Sequence, residues 1–118
     1  MSGSFRVVTE YVRGIHALEV SGELDQATVP DLRAPLAEAI GTGDGPVLVD
    51  LSGCEFIDST GLSLLVEAQR KLAELDGRRF AVCCATRDVD RLLELTGIGK
   101  ALAVFPARTE ALSSLSPD

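Results

Sequence analysis

Val47-Leu48-Val49-Asp50-Leu51, introduced by Pro46, is a nearly continuous apolar run. A strand with one wet face alternates apolar and polar residues, whereas an unbroken run suits a central strand covered on both faces. Downstream, past a loop around Gly53 and Cys54, Phe56-Ile57 leads into Asp58-Ser59-Thr60-Gly61. A helix follows to about Leu75 and ends at Asp76-Gly77. Arg79 to Cys84 reads as another apolar strand, Arg87 to Leu95 as a helix, and Gly97-Ile98-Gly99 as a turn. Val104-Phe105 marks a short last strand and Arg108 to Leu115 a closing helix. Upstream, Phe5 to Val12 is rich in β-branched and aromatic residues and reads as a strand. Arg13-Gly14 turns it back into an antiparallel partner, Ile15 to Ser21. Gly22-Glu23-Leu24-Asp25 is then a polar loop before the first helix. Thr28 with Asp31 resembles a capping box there, Pro30 suits the first turn, and Gly41-Thr42-Gly43-Asp44-Gly45 stops the helix.

The order β-β-α-β-α-β-α-β-α implies parallel pairing through right-handed crossovers. The expected fold is α/β, a mixed and mostly parallel sheet whose first strand is antiparallel, with about four helices. At 118 residues the chain fits one domain, 1–118, with its core over about residues 5–115. No apolar run approaches the ~20 residues of a membrane span, and the N-terminus offers no secretory signal, so a cytoplasmic, membrane-free protein is expected. A net charge of −7 disfavours a nucleic-acid backbone and suits a basic protein surface.

The junction between the central strand and the second helix is the most informative site. Ser59 falls where a helix N-cap falls, so its hydroxyl can satisfy a first-turn amide, with Asp58 favourable beside the positive end of the helix dipole. The same geometry presents a hydroxyl at the carboxyl edge of a sheet, where ligands meet open α/β folds. Gly61 leaves room for an incoming partner. Phosphorylation at Ser59 adds about −1.5 to −2 charge; the helix dipole tolerates it, whereas Asp58, and Glu23 or Asp25 if their loop folds nearby, do not. At ~100° per residue, Leu64, Leu65, Ala68, Leu72 and Leu75 form the core stripe of this helix. Leu62, Val66 and Ala73 widen the apolar arc beyond what a core needs, and form either a docking strip or a further covered face.

Cys54, Cys83 and Cys84 are too few and too irregular for a disulfide framework. Cys83 and Cys84, adjacent on an expected strand, should point to opposite faces and so not share a metal. They read as buried apolar residues, and Cys54 as a loop residue near Ser59. The lone histidine, His16, alternates with Leu18 and Val20 at the core rim. No Gly-x-Ser-x-Gly setting, phosphate loop or metal constellation is present, so neither catalysis nor a bound metal is expected.

Gly22-Glu23-Leu24-Asp25, Val47 to Leu51, Phe56 to Leu62 and Leu95-Thr96-Gly97-Ile98 occur in the order seen in STAS domains. More closely, the chain resembles the stand-alone anti-sigma factor antagonists, over about residues 5–115. That resemblance implies a partner-switching mechanism. An anti-sigma factor serine kinase with a histidine-kinase-like ATPase fold binds the unmodified antagonist and releases its sigma factor. Using ATP and Mg²⁺, it then phosphorylates the serine after the motif aspartate, here Ser59 with Thr60 as fallback, and a serine phosphatase resets the switch. The chain itself needs no cofactor. Glu23, Asp25, Asp58, Ser59, Thr60, Gly61, Leu62 and Val66 would form the partner-facing surface. The alternatives under the same resemblance are a STAS module in a stress-sensing scaffold and a cytoplasmic transporter subunit.

Overall fold

The computed structural model describes residues 5–42, 44–75 and 77–116. Gly43 of the expected helix stop, Asp76 of the next one and the ends 1–4 and 117–118 lie outside the described residues. Ten elements follow in order: β1 (Arg6–Val12), β2 (Ile15–Leu24), α1 (Val29–Gly41), β3 (Val47–Ile57), α2 (Ser59–Glu74), β4 (Phe80–Cys83), α3 (Arg87–Thr96), a 3₁₀ turn (Ile98–Lys100), β5 (Ala103–Phe105) and α4 (Arg108–Leu115). The sheet runs β1-β2-β3-β4-β5, antiparallel between β1 and β2 and parallel elsewhere. Fold class and helix count agree with the expectation.

The hairpin closes on Arg13 (φ 52°) and Gly14 (φ 81°), both left-handed. A two-residue loop with this geometry matches the right-handed twist of the flanking strands. Val47 to Leu51 are all buried, because alternate residues of β3 enter different cores. Val47, Val49 and Leu51, with Leu18, Val20, Phe80 and Val82, pack under α1, α2 and α3. Leu48, with Ile15, Ala17, Ala81 and Cys83, packs under Ala111, Leu112 and Leu115 of α4. Asp50 is the buried charged residue on that second face, 3% exposed. Arg108 satisfies it at 3.1 Å and bonds Glu10 with its other nitrogen, tying α4 to β1 and β3.

Three local expectations are corrected. β2 continues through Gly22-Glu23-Leu24, and β3 through Gly53 and Cys54, where loops were expected. The pairing survives through register shifts near Ser21 and Glu23, and through Gly53, where a Cβ would lie 2.7 Å from the Ser21 hydroxyl. Thr28 occupies the N-cap of α1 without capping it; its hydroxyl instead accepts from the Asp25 amide at 2.9 Å and donates to the Glu23 carbonyl at 2.7 Å. The C-terminal end of α1 is held by Arg78. Its guanidinium donates to the carbonyls of Ile40 (2.7 Å), Ala39 (3.3 Å), Asp44 (3.0 Å) and Gly45 (2.9 Å). His16 does sit at the core rim, its Nε2 within hydrogen-bonding distance of the Asp44 carbonyl and the Thr42 hydroxyl. Among the described residues, no helix is long and apolar enough to cross a membrane.

Candidate functional site

β3 ends at Ile57 and α2 begins at Ser59, so a single residue, Asp58, makes the junction. Asp58 is extended (φ −107°, ψ −175°) and is the N-cap of α2. Its Oδ1 accepts from the amides of Thr60 (2.9 Å) and Gly61 (3.1 Å) and from the Thr60 hydroxyl (2.5 Å). Oδ2 accepts from the Gln26 amide at 3.1 Å, and the Asp58 amide donates to the Leu24 carbonyl at 3.1 Å. The Thr60 hydroxyl above all, helped by the Gly61, Gln26 and Thr60 amides, holds this carboxyl below the usual carboxylate range.

This corrects the expected cap. A carboxylate is the stronger acceptor for first-turn amides, so Asp58 takes the role assigned to Ser59. Ser59 becomes the first helical residue. Its side chain is exposed, and its hydroxyl bonds none of the described residues. Thr60, the fallback acceptor, is exposed too, but its hydroxyl is engaged by Asp58. Of the two neighbouring hydroxyls, only that of Ser59 stands free at the helix mouth.

The loop after β2 is brought to the same place. Glu23 pairs with Phe56 and Leu24 with Ile57 across β2 and β3, and Gln26 reaches Asp58. Glu23 is exposed. Asp25 is half-buried, and its Oδ1 accepts from the amides of Ala27 (3.0 Å) and Thr28 (3.1 Å). Its carboxylate shapes the loop more than it faces outward. A shallow groove beside this loop is lined by Phe5, Glu23, Asp25, Ala27, Thr28 and Glu55.

Two expected contact residues are displaced from the surface. Gly61 is buried, and a Cβ there would lie 2.7 Å from Ile57 Cγ1 and 2.9 Å from Leu24 Cγ. The missing side chain makes room for the protein's own core, not for a partner. Leu62 is 2% exposed and belongs to the main core. Val66 is half-buried against the same core, and only Ala73 of that strip is exposed. Leu75, expected in the core stripe, is 44% exposed beyond the end of α2. Of the exposed large apolar side chains, the one nearest Ser59 in sequence is instead Phe56, 49% exposed. Its signal lay in the sequence: next to buried Ile57 at a strand end, alternation turns Phe56 outward.

The cysteines are also rearranged. Cys54 lies within β3, fully buried, and its thiol donates to the Phe56 carbonyl at 3.3 Å. Burial pushes that thiol up from its ordinary pKa. Cys83 ends β4, while Cys84 leaves the strand at φ 64°. That left-handed step cancels the alternation and brings the two sulfurs to 3.1 Å. Their ligand atoms and a carboxylate oxygen of Asp50 all lie within 4.8 Å of one another.

The family model described as "Mlab, STAS domain" matches residues 13–106. An anti-sigma F factor antagonist of Paenibacillus polymyxa is 30% identical over 113 residues, covering 95% of this chain and 96% of that protein. An anti-sigma-B factor antagonist of Staphylococcus aureus is 34% identical over 83 residues, 70% of this chain and 76% of that one. The crystal structure of an anti-sigma factor antagonist from Mycobacterium paratuberculosis superposes with a TM-score of 0.88 at 29% identity, covering 98% of both chains. The chain belongs to the STAS domain family and, within it, to the anti-sigma factor antagonists.

Proposed function

We propose that this chain, unmodified, binds an anti-sigma factor kinase and so frees a sigma factor, and that phosphorylation of Ser59 ends the complex. The observation that carries this reading is the free, exposed hydroxyl of Ser59 between two engaged neighbours, Asp58 and Thr60. The partner supplies ATP and Mg²⁺ and the catalytic groups, and a serine phosphatase restores the hydroxyl. This chain acts as the substrate and the binding surface, through Ser59, Glu23 and the exposed ring of Phe56.

Ser59 is suited to carry a phosphate without cost to the fold. Among the described residues its hydroxyl gives up no intramolecular bond on modification, and the positive end of the α2 dipole favours an anion. The new charge of about −1.5 to −2 stands instead beside Asp58 and Glu23, on the face the partner covers. A coupling of ~1–3 kcal/mol changes affinity about 5- to 150-fold, which lost contacts and desolvation of a phosphate readily supply.

The test is incubation with candidate anti-sigma kinases, ATP and Mg²⁺, followed by site mapping by mass spectrometry and by titration of binding. Phosphate should appear at Ser59. Ser59→Ala should bind and not be released by ATP, Ser59→Asp should bind poorly, and both should melt within a degree or two of the parent. Equal binding by both variants, or phosphate placed elsewhere, refutes the reading.

A further inference from the structure

We propose that Cys83 and Cys84 form a reversible dithiol–disulfide pair, a modification site on the α4 side of the sheet distinct from Ser59. Adjacent residues on a strand project to opposite faces, so neighbouring cysteines do not meet by default. Here they do, at 3.1 Å, because Cys84 adopts φ 64°. A non-glycine residue in the left-handed region is uncommon, and where it is maintained the surroundings must over-determine it. The surroundings are visible: the Cys84 amide donates to the Phe105 carbonyl at 3.0 Å, and Cys83 is paired with Asp50 and Phe105 across β3 and β5. These bonds hold the backbone in an arrangement that brings the two sulfurs together.

Cys83 is buried and Cys84 half-exposed, an accessible thiol backed by a sheltered one. Burial raises the pKa of both, Cys83 the further, so the pair rests as protonated thiols. The first oxidation is therefore slow, while the second sulfur is already in contact to complete the bond. Asp50 is not free to turn the cluster into a metal site, because Arg108 holds its Oδ2 and the Ser52 amide its Oδ1.

With a hydroperoxide as oxidant, the Cys84 sulfur attacks the peroxide oxygen, giving a sulfenic acid and releasing an alcohol or water. The Cys83 sulfur then displaces the hydroxyl from the Cys84 sulfur, its thiol proton leaving with that hydroxyl as water. In sum, two thiols and one hydroperoxide give one disulfide, one alcohol and one water. Consecutive Cα atoms are ~3.8 Å apart, closer than an unstrained disulfide prefers, so the bond should be readily reduced.

The test treats the full chain with hydrogen peroxide, blocks remaining thiols with iodoacetamide under denaturing conditions, and digests with trypsin. Cleavage after Arg79 and Arg87 isolates Phe80–Arg87, which carries both cysteines but not Cys54. The expected result is loss of two hydrogens from that peptide, no alkylation of it, and full recovery after dithiothreitol. The thiol titre should fall from three per chain to one, with Cys54 alone alkylated. Cys83→Ser, which removes the resolving thiol but keeps the shape, should instead accumulate a Cys84 sulfenic acid that dimedone traps. An unoxidised pair, a singly oxidised Cys84 in the parent, or disulfides between chains would each overturn the proposal.

Discussion

Replacing Gly61 by alanine separates two roles for that glycine. If Gly61 gives a partner access, alanine should preserve or raise stability, since alanine is the better helix former by up to ~1 kcal/mol, and should weaken binding. The packing around α2 predicts the reverse. The added Cβ meets Ile57 Cγ1 at 2.7 Å and Leu24 Cγ at 2.9 Å. Ile57 is 1% exposed and Leu24 fully buried, and both contacts are mid-chain atoms that cannot swing aside. Overpacking costs about 1–3 kcal/mol, and two contacts under 3 Å with buried side chains put this one in the upper half, at about 2–3 kcal/mol. Set against the helix gain, the net loss is about 1–2 kcal/mol. At roughly 3–6 °C per kcal/mol for a chain of this size, the melting temperature should fall by about 3–12 °C. Urea unfolding of parent and variant measures the free-energy change directly. A Leu24→Ala background removes one of the two clashing side chains, so the penalty for alanine at position 61 should shrink by about 0.5–1.5 kcal/mol. A variant as stable as the parent, or a penalty unchanged in that background, refutes the packing account.

Arg78→Ala should destabilise by about 2–4 kcal/mol, because four carbonyls lose a charged donor and only the wetter ones regain water. Arg78→Lys should recover less than half, lacking the planar fork, as read by denaturant midpoints. Arg108→Ala should cost about 2–4 kcal/mol by leaving Asp50 buried without its ion partner, and adding Asp50→Asn should return part of that. The carboxyls of Asp58 and Glu67, lowered by Thr60 and by Arg33 respectively, contribute stability that is fully present above the unfolded carboxylate pKa of about 4. That contribution is lost as pH falls through their lower folded values. Asp58→Asn keeps an acceptor but removes the charge, so it should flatten the acid limb of a stability-versus-pH curve. An unchanged slope would rule out Asp58 as a source.

The order of elements was legible because strands and helices carry different periods; α4 matched its expected bounds, Arg108 to Leu115, without adjustment. What failed locally had non-local causes. Gly22 and Ser52-Gly53 look like punctuation, yet β2 and β3 pair through them with register shifts that no single-strand pattern encodes. Two residues able to cap, Asp58 and Ser59, stand side by side at the start of α2. One bond that distinguishes them comes from the Gln26 amide, 32 positions away. A helical wheel shows that Leu62 is apolar but not that the core closes over it. The meeting of Cys83 and Cys84 depends on one backbone angle, φ 64°, invisible in the letters.

The division of labour at the start of α2 would let the proposed switch work there at little structural expense. A helix needs its first amides satisfied, and a serine that did this with its own hydroxyl would have to exchange those bonds for new ones whenever it was modified. Asp58 removes that conflict by capping the helix and fastening it to the β2 loop through Gln26. Thr60 strengthens the cap and is thereby occupied. Ser59 is left with no structural duty among the described residues, at a position where an anion is welcome to the helix. Under the proposed function, the penalty for a phosphate on Ser59 would therefore fall on a bound partner, which would have to desolvate it or leave. The same reasoning orders the three residues by consequence. Substitution of Asp58 should change stability and binding together, substitution of Thr60 should change both weakly, and only Ser59 should change binding alone.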